Sequence, residues 1–242
     1  MELDYKTYSD YKTLNIFSDA SILKTTKDNL PYTIGCPGVI IKSGIYEIDR
    51  KYEIIPNTTN NFCEIRAIGI AVTMANWYNQ FYDIDRINIF SDSKISVYGL
   101  RQWIYSWVRN SYNGELIGSS GPVKNQSEIL KIIQYIIYNN LRINLFHVRG
   151  HHDHGTQKEF FKFKESFCRE NNISIHEDQL IRDLIYGNHV VDIMTRDMLN
   201  SSNISEIMQD KLQPVFDYDY IKIIQTLDIN KYRDLMTGGN LK

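Results

Sequence analysis

Four acidic residues have the types and spacings that could do chemistry. Asp19 and Asp92 each close the same tetrapeptide, Ile16-Phe17-Ser18-Asp19 and Ile89-Phe90-Ser91-Asp92. Each run reads as a short strand with a carboxylate at its end. One Asp after a strand ordinarily starts a turn or caps a helix, but two in the same context can face each other, because ligands gather at strand ends in α/β sheets. Glu64 opens an apolar segment after Thr58-Thr59-Asn60-Asn61. With Asn61 as N-cap it has the position of a capping-box glutamate. It also shares a helix face with Ile68, Ala71 and Ala75, which turns it towards a sheet. Asp192 lies at the helical angle of Ile181 and Ile185, either at the edge of that stripe or in a place costly for an unpaired carboxylate. Four converging carboxylates repel and imply bound cations. An all-oxygen set suits Mg²⁺ or Mn²⁺ better than zinc. Two such ions about 3.5–4 Å apart can activate water and stabilise a leaving oxygen in phosphodiester hydrolysis.

The elements that must carry these acids follow from periodicity. Strands are expected at 14–20, 32–43 and 45–55, with Ser43-Gly44 as a hairpin turn between the last two. A helix at 62–80 precedes a strand at 86–91 and helical pattern to about 109. Glycines 114, 118 and 121 mark a loop, followed by a helix at 126–139 and a strand at 142–148. Residues 158–170 carry Phe160, Phe163 and Phe167 on one helical face, and a last core helix spans 178–199. The tail has weaker helical pattern at 204–212 and 218–236. Three antiparallel strands followed by alternating helices and strands predict an α/β fold, a mixed five-stranded sheet flanked by helices.

Bulk properties narrow the setting. A chain of 242 residues can bury a real core, and 43% hydrophobic and 23% charged content is ordinary for a globular protein. Net charge is −2, so any polyanion must be held by local patches and metal rather than by a basic surface. Cys36, Cys63 and Cys168 have no zinc or disulfide spacing and read as core thiols of a cytoplasmic or other reducing compartment. No signal core opens the chain, and polar residues break the most apolar stretch, so no membrane role is expected. The wealth of Ile, Asn, Lys and Tyr points to low-GC coding, as in a virus, phage or AT-rich microbe.

The motifs IFSDAS, TTNNFCEIRAIGIAV, FSDSK, QWIYSW, GPVKN, HVRGH and GNHVVD together resemble type 1 ribonucleases H, in order and context. The resemblance covers about 14–199, with an insertion at about 155–187, leaving 200–242 as an extension of unknown role. It implies a ribonuclease H-like fold and an endonuclease that cuts the RNA strand of RNA–DNA hybrids, leaving 5′-phosphate and 3′-hydroxyl ends. It implies Asp19, Glu64, Asp92 and Asp192 as ligands of two Mg²⁺ (or Mn²⁺) ions, and His151 as a mobile helper in catalysis. Thr59, Asn60 and Asn61 resemble a hybrid-backbone segment, and Asn125 a phosphate-pocket position. Trp103 and Trp107 resemble the aromatic pair that opens the substrate-binding handle, although Trp107 could equally be core.

Arg101, Arg109 and Lys124 are the cations left in that handle. Lys94 departs from the polar amide usual beside the third acid. The 41 positions from His151 to Asp192 are unusually many. The Phe-rich helix inside that gap is expected to pack on the body, with a substrate lid or a protein-partner surface (there or in the tail) as the alternative. A zinc site in His151-His152-Asp153-His154 lacks a clear remaining ligand. Two rival functions stay open: a same-fold nuclease on DNA junctions or structured RNA, and a non-catalytic nucleic-acid-binding module.

Overall fold

The computed structural model describes residues 3–27, 30–150, 156–201 and 224–236. The chain begins with α1 (Tyr5–Ser9), β1 (Thr13–Lys27), β2 (Leu30–Ser43), β3 (Tyr46–Tyr52), β4 (Ile55–Pro56) and α2 (Asn60–Phe81). Next come β5 (Arg86–Ser91), α3 (Lys94–Tyr98), a π turn (Gly99–Trp103) and α4 (Ile104–Arg109). A small hairpin, β6 (Ile117–Gly118) and β7 (Gly121–Pro122), leads to α5 (Gln126–Tyr138) and β8 (Asn144–His147). The described remainder holds α6 (Gln157–Asn171), α7 (Asp178–Ser201) and α8 (Ile229–Leu235).

The main sheet has the order β3-β2-β1-β5-β8, with β4 as a short extra partner of β2. β1, β2 and β3 are antiparallel neighbours, whereas β1–β5 and β5–β8 are parallel. The mixed five-stranded sheet expected from the sequence is thus present. Two boundaries differ from expectation. β1 continues far beyond residue 20, because β2 pairs with it along its whole length from Leu14↔Ser43 to Lys27↔Leu30. The strand expected at 45–55 divides, since Glu53 N donates to Pro37 O and Ile55–Pro56 pairs separately with Ile34 and Gly35.

Alternation along the strands sorts side chains onto two faces. Leu14, Ile16, Ile41, Ile89 and Leu145 meet residues of α2 and α5 in one core. Phe17, Ile40, Phe90 and Phe146 meet residues of α1, α6 and α7 in the other. On this second face the parallel strands repeat one layered sequence. Asn88 Nδ2 donates to Asn15 Oδ1 and Asn144 Nδ2 to Asn88 Oδ1, each at 2.9 Å, a buried ladder across β1, β5 and β8. The next layer stacks Phe17 on Phe90 and Phe90 on Phe146, with centroids 4.9 and 5.2 Å apart. A one-residue slip would put every one of these groups on the wrong face. The ladder and the stack therefore fix the register that continues to Asp19 and Asp92.

The described part of the tail is core. Tyr232 is fully buried, and Ile224, Leu235 and Met236 join the same cluster as Leu14 and Ile16. Met236 pairs in parallel with Ile143, just ahead of β8. Of the helix expected at 218–236, the described portion is Ile229–Leu235; the one expected at 204–212 lies outside the described residues. The first helix, α1, was not expected. Its only buried residue is Tyr8, while Asp4 caps it through a bond from Thr7 N at 2.8 Å. Among the described residues no helix is long and apolar enough to cross a membrane.

Candidate active site

Asp19 and Asp92 lie one residue beyond the paired Ser18 and Ser91 of adjacent parallel strands. β1 itself does not end at Asp19, contrary to the reading from sequence; what ends there is its pairing with β5. The sheet thereby splits open beside two carboxylates. Asp92 is not a helix cap either: Ser93 caps α3, accepting from Ser96 N at 3.3 Å.

Glu64 is brought to the same place by α2. The N-cap of that helix is Thr59, which accepts from Phe62 N at 3.3 Å, and not Asn61. The capping-box reading of Glu64 therefore fails, and its carboxylate is spent elsewhere: it accepts from Asn60 Nδ2 and from Ser93 Oγ, the residue after Asp92. The first turn of α2 can approach because Gly35 leaves room; a Cβ there would lie 2.2 Å from Cys63 Sγ.

Asp192 is delivered by α7, which crosses the sheet at two close contacts. A Cβ on Gly187 would meet the Phe17 ring at 2.4 Å, and one on Gly38 would meet Met194 Cε at 2.7 Å. Ser21 Oγ and Thr195 Oγ1 are 2.9 Å apart, and Thr195 Oγ1 donates to Asp192 O at 3.1 Å, tying the helix to β1 two residues past Asp19.

The electrostatics centre on Asp19, which is 8% exposed. Burial holds its carboxyl well above the usual range; the charges of Asp92, Asp192 and Glu64 add to this, and the Ala20 N–H partly opposes it. Each of the other three acids thus lies close enough to Asp19 for its charge to act there. They do not form a ready-made cage: among the described residues no three acid, imidazole or thiol groups are clustered closely enough to hold one ion. Like charges repel, and hydrogen-bond donors sit on Asp19, Glu64 and Asp192. Asp19 Oδ1 accepts from Ala20 N at 2.7 Å, Glu64 takes Asn60 and Ser93, and Asp192 takes Arg196 Nη2 at 2.7 and 2.6 Å. These partners do not preclude a divalent cation. The Arg196 side chain is 55% exposed, and such i,i+4 pairs are worth only about 0.3–0.5 kcal/mol. The donor set is all carboxylate oxygen, which fits Mg²⁺ or Mn²⁺.

Beside the acids runs a groove of about 550 Å³ lined by Asn61, Trp103, Trp107, Lys124 and Asn125 among others. Trp103 is 40% exposed, and its ring lies 6.0 Å from that of Trp107. Trp107 serves both ends, lining the groove and packing on the core. Asn125 has left-handed φ 56° and no capping bond of its own, so its amide is left over for the groove. Thr59 is occupied as a cap and Asn60 by Glu64. Arg109 is exposed at the end of α4 and does not line the groove.

Arg101, read as a handle cation, is buried instead. Its Nη1 donates to Asn171 Oδ1 at 2.9 Å and Leu145 O at 3.2 Å, and its Nη2 to Glu170 O at 2.9 Å. Carbonyl oxygens take hydrogens of Nη1 and Nη2 in place of water, while the buried Nε has no hydrogen-bond partner. His151 and the neighbouring residues to 155 lie outside the described residues. The sequence reading missed His147, Glu170 and Asn171, which join behind Asp92; His147 stood inside the HVRGH motif, but nothing in its spacing pointed inward.

A model of the RNase H family matches residues 11–160. The ribonuclease H of Actinobacillus succinogenes is 30% identical over 117 residues, 48% of this chain and 64% of that protein. That of Actinobacillus pleuropneumoniae serotype 5b is 27% identical over 145 residues, 59% of this chain and 82% of that one. Among solved structures, a type 1 RNase H with the type 2 active-site motif has a TM-score of 0.44 at 19% identity, over 65% of this chain and 73% of that one. The foamy viral protease-reverse transcriptase in complex with RNA/DNA hybrid has 0.48 at 15%, over 67% of this chain and 20% of that one. The chain thus spans less than two thirds of the first of these relatives. Asp192, α7 and α8 lie past the matched residues.

Proposed function

The chain belongs to the RNase H family, and from that premise we propose that it is an endonuclease hydrolysing the RNA strand of RNA–DNA hybrids. The products would be 5′-phosphate and 3′-hydroxyl ends. The observation that carries the reading is the meeting of acids from three elements: Asp19 and Asp92 at one register of β1 and β5, with Glu64 bonded to the residue after Asp92. Asp192 is the fourth, tied through Thr195 to β1. These four would hold two Mg²⁺ or Mn²⁺ ions. Bound there, the ions would offset the like charges that add to burial in raising Asp19, activate water and stabilise the leaving oxygen.

The chain's own groups have separate tasks. Ser93 and Asn60 orient Glu64, and the strand register orients Asp19 against Asp92. The Trp103–Trp107 groove, with Asn61, Lys124 and Asn125, would take the hybrid, whose 2′-hydroxyls mark the RNA strand in the minor groove. His151 is assigned the assisting part that its motif implies, so His151→Ala should slow turnover without abolishing it.

The test is cleavage by the full chain, with Mg²⁺ or Mn²⁺, of matched hybrid, double- and single-stranded RNA, duplex DNA and junction DNA. Cutting confined to the RNA of the hybrid is expected. Preferential cutting of junctions or structured RNA would replace this reading by another nuclease activity of the fold. Binding without cutting on any substrate would make it a nucleic-acid-binding module.

A further inference from the structure

β8 is the edge strand of the sheet, where backbone groups need cover. At His147 a single side chain supplies it. Asn171 Oδ1 accepts from His147 N at 2.9 Å, and Asn171 Nδ2 donates to His147 O at 2.7 Å, so an amide stands where a neighbouring strand would. Arg101 locks the same Asn171 from behind. The last turn of α6 is thereby fixed to the edge of β8. Phe163 and Phe167 hold the rest of α6 in the core around Phe146.

From this anchorage one line of contacts runs into the catalytic centre. Glu170 reaches the Nδ1 side of His147, and the opposite nitrogen, Nε2, lies 3.2 Å from the backbone carbonyl of Asp92. A carbonyl can only accept, so Nε2 carries the hydrogen. His147 is 7% exposed, and in such a site a hydrogen bond holds its partner firmly. The carboxylate of Asp92 projects from the peptide so held.

We propose that His147 and Glu170 are positioning residues for Asp92, through which α6 sets the geometry of the acid cluster. The proposal rests on the reading of that cluster as a hydrolytic metal centre. Glu170 lies beyond the residues matched by the family model, whereas His147 lies within them.

The experiment separates the two ring nitrogens. His147→Gln sets an amide nitrogen near the place of Nε2 and keeps a donor for Asp92 O. His147→Asn sets one near Nδ1, faces Glu170 and withdraws the donor. Partners behind a metal ligand typically alter metal affinity or activity about 10–100-fold. For His147→Asn we expect kcat and Mn²⁺ affinity, read by the paramagnetic resonance of free Mn²⁺, each to fall at least about 10-fold. KM should stay within about twofold. His147→Gln should recover most of both, and Glu170→Gln should fall between. If His147→Asn fails to fold, Glu170→Gln decides on the same readouts.

Wild-type kcat and Mn²⁺ affinity in His147→Asn would overturn the proposal. So would equal losses in the Asn and Gln variants that follow only a drop in melting temperature, because that pattern means α6 is a structural anchor and no more. A wild-type chain that cleaves no hybrid would instead refute the parent reading, while the Mn²⁺ titration would still decide this one.

Discussion

Gly150 is the point at which the loop after β8 passes over the Asp92 carboxylate. A Cβ at Gly150 would lie 2.2 Å from Asp92 Oδ2, 3.1 Å from its Cγ and 3.3 Å from its Cβ. Carbon–oxygen contacts close up only to about 3.3 Å, so Gly150→Ala must separate the two atoms by about 1 Å. The backbone does not force the choice of glycine, because Gly150 is not among the glycines with positive φ. The Asp92 main chain is held by strand register and by His147, whereas its carboxylate turns about two torsions. The carboxylate is therefore what yields. A displacement of about 1 Å in a positioned group costs on the order of 100-fold in rate. Gly150 is partly exposed, so the melting temperature should barely move, in keeping with the about 0.5 kcal/mol typical of surface changes. Steady-state cleavage of a labelled hybrid should then give kcat about 100-fold down and KM little changed. A variant with wild-type kcat would refute the claim that the Asp92 carboxylate must sit where this loop confines it. A large loss of stability would show that the loop itself gave way.

Three further outcomes follow from the same geometry. Asp19→Asn should abolish cleavage and, in EDTA, stabilise the fold. Folded Asp19 keeps its proton above the ordinary value of 3.8, so the folded state binds more protons in that window and stability falls as pH rises through it. Thermal melts should show the variant's advantage present at neutral pH and fading on acidification; an unchanged pH profile would be the contrary result. Deleting the chain after Ser201 removes Ile224, Tyr232, Leu235 and Met236 from the core. At about 1.5–3 kcal/mol per buried apolar side chain, their loss rivals the whole net stability of about 5–15 kcal/mol, and circular dichroism should find the product unfolded or melting far lower. Lys124→Ala should raise KM more than it lowers kcat, and Arg109→Ala, outside the groove, should do less; equal effects would place substrate differently.

The common register of Asp19 and Asp92 was legible in the sequence because one tetrapeptide occurs twice, and alternation then gives both copies the same face. The sheet was legible for the same reason, since apolar period and hairpin signals are local. What escaped was tertiary. Thr59 displaces Asn61 as N-cap through the geometry of the turn after β4, which composition does not encode. Arg101 looks like a surface cation until Asn171 and the carbonyls of Leu145 and Glu170 are gathered around it by distant chain segments. The Asn15–Asn88–Asn144 ladder looks like three polar residues in apolar strands, and only their common register makes them mutual partners. Asp192 was placed by its helical angle with Ile181 and Ile185, but the glycines that seat its helix, Gly38 and Gly187, act through contacts across the sheet.

Two segments, the end of α6 and α8, both past residue 160 where the family match stops, converge on one turn. The π turn at Gly99–Trp103 interrupts the helical run from Lys94 to Arg109, a geometry that departs from the regular hydrogen-bond ladder. The Leu100 carbonyl within it accepts from Tyr232 Oη of α8 at 2.9 Å, and Arg101 is drawn inward by Asn171 and Glu170 of α6. Trp103 closes that same turn and faces the groove. The platform for the proposed hybrid is thus braced from behind by both α6 and α8. Charge gives little help there. Lys124 is the one cation lining the groove among the described residues, the net charge is −2, and affinity from counterion release scales with the phosphates neutralised. A surface with few charges gains affinity when little freedom is lost on binding, and the contacts from Tyr232 and Asn171 hold the turn that carries Trp103. The bracing of the π turn and the scarcity of cations are therefore two sides of one design, and loosening the brace should cost this chain more binding than it would cost a strongly basic one.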